Sequence, residues 1–113
     1  MVKPTSRMYS TTTREALGLI GQMIRLARIE RQMTAGELAI RAGFSRDLLQ
    51  RIERGNPGSS IGAVFEAATI VGVNLFEADP PSLTDQRRAT QGRLALLPRR
   101  VTHKSRMAVN DDF

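Results

Sequence analysis

The sequence predicts an all-α protein of five helices followed by an extended C-terminal tail. Three observations carry that expectation. Apolar residues recur at three- and four-residue spacing through most of residues 14–76. Ser, Thr and Gly stand where helices would start and stop. The stretch with the pattern of a strand is short, residues 93–97.

Taken in order, residues 1–13 read as a flexible N-terminal arm, with Pro4 and a Ser/Thr cluster. The first helix is expected over about 14–31, where Leu17, Ile20, Ile24 and Ala27 share one face. Leu19, Met23 and Leu26 widen that stripe and suggest a second apolar contact. The second helix, 35–42, is introduced by Thr34 and Glu37 at capping-box spacing, with Met33 and Leu38 placed as a hydrophobic staple. Leu38, Ala39 and Ala42 form its apolar face, and Gly43 can take the positive φ that ends it. Phe44 is expected to bury. Ser45 caps a third helix, 46–54, in which Leu49 and Ile52 repeat before Gly55.

The loop 55–59 cannot stay helical. Ser60 then caps a fourth helix with Ile61, Val64, Phe65, Ala68 and Val71 inward, ending near Gly72. Residues 73–76 lead into a short fifth helix, and Pro80-Pro81 marks the domain edge. The expected domain is therefore 14–79, and the tail 80–113. In that tail Leu94, Leu96, Leu97 and Val101 make an apolar patch broken by Pro98. It fits either a short strand, which needs a partner edge, or a tail without fixed structure.

Composition narrows the function classes. The chain has 113 residues, a formal charge of +6, no Cys and one His. Charge is unevenly placed: residues 1–57 hold ten Lys/Arg against five Asp/Glu, 58–79 carry only Glu66, Glu77 and Asp79, and 80–113 return to net +4. A basic chain suits a polyanionic partner, because each cation placed on a phosphate releases counterions. The acidic middle segment is expected to face protein. Without Cys there is neither a disulfide nor a thiolate metal site, and His103 lies in a basic tail, so no metal or cofactor is expected. Glu37, Asp47, Glu53 and Glu66 are claimed by caps, pairs or solvent, which argues against an enzyme. No membrane span or signal peptide is legible, so a cytoplasmic, nucleoid-associated location is expected.

Two short helices joined through a glycine turn make a helix-turn-helix unit, whose second helix enters the DNA major groove. The pattern Thr34, Leu38-Ala39, Gly43, Ser45 and Glu53-Arg54-Gly55 resembles the Xre/Cro family of repressors over residues 20–76. That resemblance implies a five-helix, lambda-repressor-like domain. It also implies that Arg46, Asp47, Gln50 and Arg51 reach base edges. Arg suits guanine O6 and N7, and Gln suits adenine N6 and N7. Asp47 either accepts from cytosine N4 or simply favours the positive helix start. Leu48 meets a thymine methyl or a neighbouring helix. Phosphate contacts are expected from Thr34, Ser45, Arg54, Asn56 and the backbone after Gly55. Where the family usually carries a phosphate-gripping Gln, this chain has Ala35, which shifts weight to Arg46 or the basic tail. Arg28 and Glu53 match a family ion pair that fixes the third helix.

The expected partner is a double-stranded DNA operator, bound by a homodimer. Val73, Leu75 and Phe76 are the expected dimer interface, or else they close the monomer core. Size and layout are similar to the HipB-like antitoxins, which accompany HipA-like kinase toxins. That resemblance implies autoregulation of an operon and a tail that binds the toxin, with Leu94, Leu96, Leu97 and Phe113 as contacts. A stand-alone phage or chromosomal repressor, and an RNA-binding or coactivator-bridging helical protein, are the alternatives.

Overall fold

The computed structural model describes residues 8–77 and 80–103. The chain divides into two compact units, Met1–Glu77 and Ala78–Phe113. In the first, α1 is Thr11–Glu30, α2 Ala35–Ala42, α3 Arg46–Glu53 and α4 Ile61–Val71, followed by a 3-10 turn, Leu75–Glu77.

Each of these four helices starts on a hydroxyl cap. Ser10 accepts from the Thr13 N–H, so residues 11–13 form the first turn of α1 rather than the end of an arm. The rest of that expected arm, residues 1–7, lies outside the described residues. Thr34 Oγ1 accepts from the Glu37 N–H at 3.0 Å while the Thr34 N–H donates to the Glu37 carboxylate at 2.7 Å. Ser45 accepts from the Leu48 N–H and Ser60 from the Ala63 N–H. These caps satisfy donors that a helix start leaves without a partner. Gly43 ends α2 at φ 81°, where a side chain would be strained.

α1 and α2 each pack on both α3 and α4. The core between them holds Ile24, Leu38, Leu49, Ile52 and Val71, all fully buried, with Met33, Ala39, Ala67 and Ala68. One contact is closer than the apolar pattern implies. A Cβ on Gly21 would sit 2.5 Å from the Ile52 carbonyl oxygen and 2.7 Å from that of Glu53. Only a glycine lets α1 lie this near the end of α3.

Three expectations need correction. The fifth helix expected near residues 73–76 is only the 3-10 turn, because Phe76 (φ 58°) and Glu77 (φ 52°) take left-handed backbone that cannot propagate a helix. Ile61 and Phe65 point outward, 71% and 37% exposed, so the inward face of α4 is Val64, Ala67, Ala68 and Val71. The third concerns the tail. Its first fifteen residues form α5, Pro80–Leu94, and no strand occurs among the described residues. Proline is tolerated at a helix start because the N–H it lacks would have no partner there, so Pro80 can open this helix. The segment 93–97 ends that helix and continues into a turn. The N–H groups of Ala95, Leu96 and Leu97 donate to Gln91, Arg93 and Leu94 carbonyls at 3.0–3.2 Å. Local bonds thus satisfy a backbone that a lone strand would have left open.

Candidate nucleic-acid interface

The helix-turn-helix pair is α2 and α3, turned through Gly43 and Phe44. On α3 the apolar residues Leu49 and Ile52 point into the core, which turns the opposite face outward. That face carries Arg46 and Asp47, both exposed, and Gln50 and Arg51, both half-buried. Leu48 packs against the core, so it is not free to face a base. Asp47 Oδ2 lies 3.5 Å from Arg51 Nε, one turn away, and Asp47 also sits in the first turn of α3. A carboxylate there is favoured by the helix dipole, and a pair this long and exposed opens at little cost.

What holds α3 at a fixed angle is Arg28. Its Nε donates to Glu53 Oε2 at 2.7 Å and its Nη2 to Glu53 Oε1 at 2.9 Å, a two-pronged pair. Its Nη1 also donates to the Met33 carbonyl at 3.0 Å. One guanidinium therefore ties α1, the α1–α2 turn and the end of α3 together. The side chains are only 11% and 7% exposed. Hydrogen bonding to Glu53 holds Arg28 above its already high ordinary pKa, against the opposing effect of burial. The Arg28 guanidinium is thus charged at any pH at which the protein is folded.

Beside this brace runs an open groove of about 740 Å³, bordered by the end of α1, the start of α2 and the length of α3. Thr34, Ala35, Arg46, Gln50 and Arg54 line it, and so do Arg25 and Gln32, two residues that sequence reasoning missed. Arg25 lies one turn before Arg28 on the same helix, and that spacing was its available signal. Gln32 takes φ 55° just after α1 stops, which no feature of the sequence announced. The groove is cationic at its rim and meets the N-terminal ends of two helices, an arrangement that attracts phosphate.

The remaining candidates are placed as follows. Thr34 and Ser45 spend their oxygens as caps; the Thr34 hydroxyl also bonds the Glu37 carboxylate, while the Ser45 hydroxyl retains a hydrogen to donate. Arg54 is exposed at the end of α3. In the next loop the N–H groups of Asn56, Gly58 and Ser59 all donate inside the chain, to Arg51 O, Asn56 Oδ1 and Asn56 O. Those three backbone N–H groups are therefore already spent within the chain. Val73 and Leu75 are half-buried against the core, while Phe76 is 68% exposed and meets Phe65 edge-on with ring centroids 6.2 Å apart. In the tail Leu94, Leu96 and Leu97 are exposed, and Phe113 lies outside the described residues.

Among the described residues no three His, Cys, Asp or Glu side chains are grouped to hold a metal ion. Nor is any described helix long and apolar enough to cross a membrane. No curated protein matches the chain. Residues 19–79, more than half of its length, match the family described as "Helix-turn-helix domain". The chain belongs to that family, and it is a DNA-binding regulator built on α2 and α3.

Proposed function

We propose that the protein is a sequence-specific transcriptional repressor that binds its operator as a homodimer. The observation that carries this reading is the outward face of α3, where Arg46, Gln50 and Arg51 stand on a helix braced by the buried Arg28–Glu53 pair. A rigid helix presenting two forked cations and an amide suits readout of guanine and adenine edges. Thr34, Ser45, Arg54 and Asn56 would take phosphates on either side, joined by Arg25 and Gln32 from the groove. Asp47 is read as support for the helix start and a partner for Arg51. For the dimer, Phe76 with Phe65 and Ile61 offers an exposed apolar surface, while Val73 and Leu75 serve the monomer core.

Within this reading we place the protein as a HipB-like antitoxin that represses its own operon and restrains a HipA-like kinase. Support comes from the small regulator domain followed by exposed Leu94, Leu96 and Leu97. Joint replacement of these three leucines by Ser should abolish capture of a kinase-sized partner and leave operator binding intact. No partner with either protein identifies a stand-alone repressor.

The base-reading assignment is tested on a duplex selected from random sequence. Arg46→Ala should cost about 1–3 kcal/mol on that duplex and relax its preference, whereas Arg54→Ala should weaken all duplexes alike. Equal losses for both variants on selected and random DNA would remove base readout and favour a non-specific nucleic-acid binder.

A further inference from the structure

The arginines of the second unit are not used by the reading above. Arg87, Arg88, Arg93, Arg99 and Arg100 are all exposed, and residues 86–103 contain no Asp or Glu. Their nearest acidic neighbour, Asp85, reaches Arg88 only at 3.8 Å with both side chains open to solvent. No residue of α5 from Ser82 onward is buried, and the chain beyond Leu83 is exposed throughout its described length. We propose that α5 and the turn after it form a second, sequence-independent phosphate surface that grips duplex DNA flanking the site read by α3. This rests on the DNA reading above.

Three observations favour DNA over an acidic protein. First, the arginines are spread around the helix: Arg87 and Arg88 are adjacent, and Arg93 lies on another side again. That suits a surrounding field of phosphates and does not suit one protein groove, for which α5 also lacks an apolar stripe. Second, all five cations in residues 86–103 are arginines, whose planar fork pairs two phosphate oxygens at once. Third, only Ala78 and Asp79 separate the first unit from α5. When α3 engages DNA, the tail is delivered at high local concentration, so weak individual contacts suffice. A helix of 15 residues is about 22 Å long, enough to meet several phosphates spaced along a duplex. Such a surface carries no base information, so it adds affinity and leaves preference to α3.

The test compares the full-length chain with a full-length variant in which Arg87, Arg88, Arg93, Arg99 and Arg100 are all Gln. A second variant with Lys at the same positions keeps the charge. Binding to the selected duplex, extended by ten random base pairs on each side, is measured from low to high NaCl. The slope of log affinity against log salt should fall by about 3–5 in the Gln variant and be retained in the Lys variant. The ratio of selected to random affinity should stay within twofold. An unchanged slope in the Gln variant overturns the proposal, as does an unchanged slope with loss of an acidic protein partner. If the wild-type chain shows no preference for any duplex, the base-reading proposal fails by itself, because the slope difference is still measured on random DNA.

Discussion

In the first unit α1, α2, α3 and α4 each begin on a hydroxyl cap and hide an apolar face. In the second unit α5 runs for 15 residues, none of those from Ser82 onward buried, with its polar and apolar residues mixed around the axis. The first is helical because several signals agree: caps, a 3.6-residue period, glycine stops and a shared core. The second is helical because Gln, Arg, Ala and Leu are good helix formers and little opposes them. Tertiary packing stands behind the inward faces of α1 to α4, so a single change there propagates. In α5 it should stay local.

The largest test of that contrast uses the two units' ion pairs. Glu53→Ala leaves the guanidinium of Arg28 buried and unpaired, and should cost about 3–5 kcal/mol in urea unfolding. Asp85→Ala removes an exposed pair and should change stability by less than about 0.5 kcal/mol. Comparable losses would break the comparison, since both helices would then depend on fixed charge geometry.

The same contrast explains what was legible. Thr34, Glu37, Gly43, Ser45, Ser60 and Gly72 bound α2 through α4 where the sequence placed them, because caps are local signals with one structural meaning. The outer face of α3 followed from the burial of Leu49 and Ile52. The segment that misleads is one with a single signal: the leucines at 94–97 suggest a strand that has no edge to join. Groove residues Arg25, on α1, and Gln32, in the turn after it, lie far from the reading face in sequence and are brought beside it by the fold alone. The value of Gly21, a glycine inside a helix, likewise lies in a contact with residues 52 and 53.

Glycine substitution sharpens the comparison at a smaller scale. Gly21→Ala gains helix propensity but drives a Cβ onto two carbonyl oxygens of α3, and the backbone cannot give way cheaply. We expect a net loss of about 1–3 kcal/mol, the usual range for overpacking. Gly92→Ala meets nothing within 4 Å and should only add helix, by up to about 1 kcal/mol of local propensity. Circular dichroism should show more helix for the second variant with an unchanged unfolding midpoint for the first unit. A loss of stability from Gly92→Ala would mean that α5 packs closely after all.

The smallest effect lies within the caps of the first unit itself. α1, α3 and α4 start on serine hydroxyls, which do not titrate, but the capping box of α2 includes the Glu37 carboxylate. The Thr34 backbone N–H, and then its hydroxyl, hold Glu37 below the ordinary carboxylate range. A group whose pKa is lower in the folded chain contributes stability above its unfolded value, and that contribution disappears as pH falls through the folded value. Glu37→Gln keeps an acceptor for the Thr34 N–H but removes the charge. The wild type should therefore be the more stable protein near neutral pH, and the two unfolding curves should converge in acid, below about pH 4. Parallel curves across that range would show that the box acts by geometry alone, and α2 would then be capped in the same pH-independent way as its neighbours.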